Sequence, residues 1–286
     1  MARKPDSLVV RVARLALQAA SAELPDYSHR NSPRLYTQPQ LMACLVLRAY
    51  LKQTYRQVVE LLEASDGLRA ALGLAGGRVP RHTTLEEFAA RVASAELVDR
   101  VVGVVLEAFD GRPVGDVAGD STGLCPTRAS SHYVARSGRK GGHYVKPSLM
   151  VACGILMPVT LALGRGPCND LTDARGLLWR AAARVRPRAA YFDSGYDAEW
   201  LHRFFRDGLG CRSLVPPVPK TRDGSVRTPH RARCVRLPAS YGRRWHAESF
   251  FSGLKRSTGD KLSARTDPAR FTEAALRVLA YAIRRH

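Results

Sequence analysis

Apolar residues in the first hundred positions recur at helical spacing. Val9, Val12, Ala13, Leu15, Leu17 and Ala20 predict a first helix that ends near Pro25. Leu41, Leu45, Leu47 and Leu51 lie in a second apolar run, and Tyr55, Val58, Val59, Leu61 and Leu62 mark a third helix ending near Gly67. Gly73, Gly76 and Gly77 break the pattern before Val79-Pro80. Thr83 or Thr84 is expected to cap a further helix, with Glu86 or Glu87 closing a capping box. Val98, Val101, Val102, Val105 and Leu106 complete an all-helical region over residues 1–110. Short helices in series fit a helix-turn-helix DNA-binding module, or a bundle used for dimerisation or support.

After Gly111-Arg112-Pro113 the rhythm changes. Residues 114–120, 144–152 and 158–163 predict three strands. A helix over 171–185, a strand over 189–192, a helix over 198–206, a strand over 213–215 and a helix over 242–256 follow. Phe271 to Arg285 reads as a last, basic helix. Three strands followed by alternating helix and strand make an α/β domain with a mixed sheet over residues 111–286. Strand order is not contained in this pattern.

Charge narrows the function. Lys and Arg total 45 against 25 Asp and Glu, a net +20 that calls for a polyanionic partner to offset self-repulsion. An Arg-rich codon bias explains Arg over Lys, but not the excess of bases over acids. Six cysteines without a CxxC pair read as reduced, mostly buried thiols. His230 and Cys234 lie four apart, but no further ligands stand near enough to make a zinc site. No stretch approaches the roughly 20 apolar residues of a membrane span, and no signal peptide is evident, so a soluble protein inside the cell is expected.

Three acids stand at telling places. Asp120 closes the first predicted strand and Asp193 the fourth, each after an apolar run and before a glycine-containing turn. Ligand sites of open α/β sheets gather at strand ends, although an Asp there more often begins a turn. On the helix over 242–256, Arg244, Glu248 and Lys255 fall within an arc of about 40° beside the apolar face of Ala247, Phe250, Phe251 and Leu254. Phosphodiester cleavage needs an activated nucleophile and a stabilised leaving oxygen, which two divalent ions about 4 Å apart supply. Carboxylates from separate elements suit such ions, and without metal they repel one another.

These residues resemble the DDE transposases of bacterial insertion sequences, in the group with a Y-R-E-K signature. Tyr241, Arg244, Glu248 and Lys255 meet its spacing without a gap, within Arg-Trp-His-Ala-Glu-Ser-Phe-Phe-Ser-Gly-Leu-Lys-Arg. Asp120-Ser121-Thr122 is similar to the first family motif, and Asp193 with Gly195-Tyr196 to the second. Asp170 sits where such proteins often carry an Asp after the third strand. The resemblance extends to Tyr55–Leu62, Leu72-Gly73-Leu74 and Val79-Pro80 with Thr83-Thr84-Leu85 and Phe88, and so covers nearly the whole chain.

The resemblance implies an RNase H-like catalytic domain in which Asp120, Asp193 and Glu248 coordinate two Mg2+ or Mn2+ ions. It implies that Tyr241, Arg244, Lys255 and the adjoining Arg256 hold the DNA of the transposon end. Double-stranded DNA, as terminal inverted repeats and as target, is the implied partner of a homodimer in the bacterial cytoplasm at the nucleoid. The loop from Pro216 to Pro238, rich in Arg and Pro, is expected against DNA. Ser121 and Thr122 find no His with an acid partner, which argues against a serine nucleophile. Two other readings stand beside strand transfer: an RNase H-like nuclease that only cuts, and a transposase-derived DNA-binding protein.

Overall fold

Helix α1 (Leu8–Glu23) begins where the Ser7 hydroxyl accepts the Val10 N–H, and ends just before Leu24 and Pro25. The computed structural model describes residues 6–108, 114–126 and 143–286. Helices α2 (Gln38–Leu51) and α3 (Tyr55–Ala64) both start with capping boxes, Thr37 with Gln40 and Thr54 with Gln57. A short α4 (Asp66–Ala71), capped by Ser65, follows where the sequence pattern predicts only a break. Helix α5 (His82–Arg91) corrects the expected cap. Its N-cap is Arg81, without a side-chain bond, and Thr83 and Thr84 already lie inside the first turn. Helix α6 (Ala95–Glu107) is capped by Ser94.

The chain divides into two compact units. One holds these six helices together with residues 254–286. Its last helix, Asp267–Arg285, packs against α1, α2 and α6. That helix buries Leu276, Val278, Leu279 and Ile283, and each such aliphatic side chain contributes about 1.5–3 kcal/mol when fully buried. Its Glu273 and Arg277 form a buried ion pair 2.7 Å long. Glu273 also accepts the N–H groups of Ser263 and Ala264, while Arg277 donates to the carbonyls of Gly259 and Lys261.

The other unit is built on a five-stranded sheet. Strand β1 (Asp116–Ser121) lies at its centre, antiparallel to β3 (Tyr144–Ala152), which is antiparallel to β4 (Met157–Gly166). On its other side, β5 (Ala189–Tyr191) runs parallel to β1, and β6 (Arg212–Leu214) parallel to β5. The two-residue β2 (Cys125–Pro126) pairs with β7 (Lys261–Leu262) within the helical unit. Helix α7 (Leu171–Arg184) packs on β3 and β4. The mixed sheet with its helices, following an N-terminal helical region in sequence, agrees with the expected RNase H-like architecture.

Two further expectations need correction. Helix α8 (Glu199–Arg203) passes at once into a wider π turn over Phe204–Gly208, so the helix expected over 198–206 is not uniform. Cys44, Cys211 and Cys234 are buried free thiols, but Cys125 and Cys168 are exposed. Beyond β6, Arg231 lies in the four-residue α9 (Pro229–Ala232), buried and bidentate to the equally buried Asp197 at 2.6 Å. Arg231 therefore braces the Pro216–Pro238 loop internally and is not available to a phosphate.

Candidate active site

Asp120 occupies the second-last position of β1, opposite Leu149 of β3. The pairing of β1 with β5 aligns Ala118 with Tyr191, so continuing that register two residues brings position 120 level with Asp193. The two acids thus leave neighbouring parallel strands at the same end. Gly119 makes this close approach possible. A Cβ there would stand 2.1 Å from the Phe192 ring and 3.1 Å from the Met150 sulfur. Phe192 is itself locked against Tyr196 and Phe205, with ring centroids 5.0 and 5.6 Å away. Asp193 then caps a single 3-10 turn, Ser194–Tyr196, by accepting the Gly195 N–H at 2.9 Å.

Glu248 lies in the first turn of α10 (Trp245–Thr258), which buries Ala247, Phe250, Phe251 and Leu254, the apolar face expected from sequence. This helix does not begin at residue 242. Residues Ala239–Arg244 form a 3-10 turn, so Tyr241 and Arg244 sit on tighter backbone than Glu248. Arg244 nevertheless forms an ion pair with the exposed carboxylate of Glu248. The Tyr241 hydroxyl donates to the Phe192 carbonyl at 3.0 Å, tying the turn to the residue before Asp193. Arg243 pairs with Asp116 at the opposite end of β1. Lys255 is half-buried about two turns beyond Glu248, and Arg256 is exposed beside it, its carbonyl 3.4 Å from Lys52 Nζ.

Electrostatics marks the strand-end acids. Burial pushes the Asp120 carboxyl up to about 6, and the charges of Asp193 and Glu248 add to this. The Ser121 N–H, 2.8 Å from Asp120 Oδ1, and Arg244 pull the other way. Asp193 is also raised, by burial first and by Asp170 next, against the Gly195 N–H and Arg244. Arg244 is held charged above its ordinary value because Glu248, Tyr241 and Asp120 outweigh its burial. Such a site favours cations.

The side chains fit a hard divalent ion in their chemistry, since all the donors are carboxylate oxygens that repel one another. The buried Tyr196 hydroxyl has no hydrogen-bond partner among the described residues, which leaves a donor for a bound group. Among those residues, no three His, Cys, Asp or Glu side chains stand close enough to hold one ion together. Asp120 and Asp193 converge, while the Glu248 carboxylate is engaged by Arg244. The sequence pattern left the role of Asp170 open, yet its Oδ1 accepts the Ser121 hydroxyl at 2.6 Å beside Asp120.

A family model described as a transposase DDE domain matches residues 111–283, well over half of the chain. No curated protein gives a significant match.

Proposed function

The chain belongs to the transposase DDE-domain family, and from that premise we propose that it cuts DNA at insertion-sequence ends and joins the freed ends to target DNA. The observation that carries this reading is the pair Asp120 and Asp193 at adjacent strand ends, both held above the usual carboxylate range. With Glu248 they are the residues that would hold two Mg2+ or Mn2+ ions. When bound, such ions supply Lewis-acid activation of the attacking oxygen and charge relief at the leaving oxygen.

The protein's own groups do the rest. The Ser121 N–H and the Gly195 N–H orient the two aspartates, each through one carboxylate oxygen. Arg244 keeps Glu248 at the edge of the site, and Tyr241 fixes the backbone that enters Asp193. Arg244, Lys255 and Arg256 supply positive charge for DNA phosphates along the signature segment. Residues 1–110 serve DNA binding or dimerisation, and two copies hold the two element ends in the bacterial cytoplasm. Among the described residues no helix is long and apolar enough to cross a membrane.

The test is cleavage of a duplex bearing the element ends in Mg2+ or Mn2+, comparing wild type with Glu248→Gln. A loss of at least a hundredfold in cleavage with equal DNA binding is expected. Equal cleavage by both proteins removes Glu248 from the mechanism. Cleavage without joining to target DNA favours a simple nuclease, and tight binding by a wild type that never cuts favours a DNA-binding protein.

A further inference from the structure

A further acid, Asp170, stands beside Asp193 and Ser121 at the end of β1 and β5. Asp170 belongs to the turn that links β4 to α7, far from Asp120 and Asp193 in sequence. Its Oδ1 accepts the Ser121 hydroxyl at 2.6 Å and lies 3.4 Å from Lys146 Nζ. Its other oxygen faces the cluster. A Cβ placed on Gly195 would stand 2.7 Å from Asp170 Oδ2 and 3.1 Å from Asp193 Oδ1. The two oxygens are therefore no further apart than the sum of those distances.

Lys146 explains how this acid is held there. Its side chain is 3% exposed, near the start of β3. Its ammonium group reaches the carbonyls of Asn169 and Cys168 at 3.1 and 3.4 Å, and Asp173 Oδ2 at 3.5 Å. An ammonium is costly to bury without such partners, so Lys146 fixes the whole β4–α7 turn. An independent sign of a ligand is Tyr196. Its side chain is fully buried, and its hydroxyl has no partner among the described residues. Asp170, Asp120, Asp193 and Asp173 all stand near enough for their charge to act on its hydroxyl, which places that hydroxyl at this cluster. A phenol O–H in that place would be free to donate to oxygen brought in with a bound cation.

We propose that Asp170 is a fourth carboxylate of the divalent-cation site, and that Lys146 is the positioning residue that sets it beside Asp193. This rests on the cation-binding reading given above. The alternative is that Asp170 only neutralises Lys146 and closes the turn.

The experiment is Mn2+ titration of the full chain without DNA, following loss of the free-ion electron paramagnetic resonance signal. Asp120→Asn reports the shared site, and thermal melts check folding. The proposal expects at least tenfold weaker Mn2+ binding in both Asp120→Asn and Asp170→Asn. Asp170→Glu, which keeps the charge that Lys146 needs but moves the oxygens by one methylene, is expected to bind more weakly as well. Wild-type affinity in Asp170→Glu and Asp170→Asn, with loss in Asp120→Asn, overturns the role of Asp170 and leaves the active-site reading intact. If Asp170→Asn does not fold, Asp170→Glu alone decides. Absence of Mn2+ binding by wild type overturns this inference, and unchanged binding in Asp120→Asn overturns the active-site reading instead.

Discussion

His202 is fully buried, with Nδ1 2.7 Å from the Ser213 hydroxyl and Nε2 without a partner among the described residues. Burial pushes it down to about 4, and the charge of Arg206 adds to the effect. The folded protein thus keeps this ring neutral where an unfolded chain binds a proton near 6.5. The unfolded state binds more protons between those values, so stability falls as pH is lowered from about 6.5 to 4. The loss from this residue is about 3 kcal/mol. Denaturant melts across that range are expected to show a shallower pH slope in His202→Asn than in wild type. An identical slope would mean that folding does not lower the proton affinity of His202. Asp120, Asp193 and Glu248 stand out in the sequence because the two aspartates each follow an apolar run and Glu248 sits in a spaced charged stripe, and their metal-binding role is the proposal made above. Asp170 does not stand out. Its place depends on Ser121 and Lys146, partners that only strand order brings to it.

Elements of the helical unit depend on a clip at the start of the last helix. Glu273 accepts backbone N–H groups from Ser263 and Ala264 while pairing with Arg277, whose guanidinium holds the Gly259 and Lys261 carbonyls. Glu273→Ala leaves a buried cation and loose backbone donors, which costs about 3–5 kcal/mol. Urea unfolding monitored by circular dichroism checks this, and a loss under about 1 kcal/mol would show that water replaces the carboxylate. Periodicity located most long elements because their buried faces repeat, as in Val98, Val101, Val102 and Val105 of α6. It could not reveal the 3-10 turn Ala239–Arg244, whose shape follows from Tyr241 reaching Phe192. Nor could it reveal β2 and β7, which have two residues each and exist only through their mutual pairing. The misplaced cap at α5 shows that a Thr-Thr-Leu-Glu-Glu string fits more than one frame, and here the helix starts earlier, at His82.

The whole molecule carries a net charge of +20, which DNA would offset. If about six to ten phosphates are contacted, affinity for a random duplex falls roughly a thousandfold or more between 50 and 200 mM salt. Fluorescence anisotropy with a labelled duplex reads this directly. A flat response would show that the positive charge is not used on phosphates. The arrangement of the helical unit has a different consequence, which concerns order in time. Helices α1, α2 and α6 leave the ribosome before the strands of the sheet, yet the helix Asp267–Arg285 that packs on all three follows those strands in the chain. The helical unit therefore closes only after the strands that intervene in sequence have been made. Until residues 267–285 are made its apolar faces wait uncovered, and a message cut short before residue 267 yields a chain that chaperones and proteases meet as unfinished.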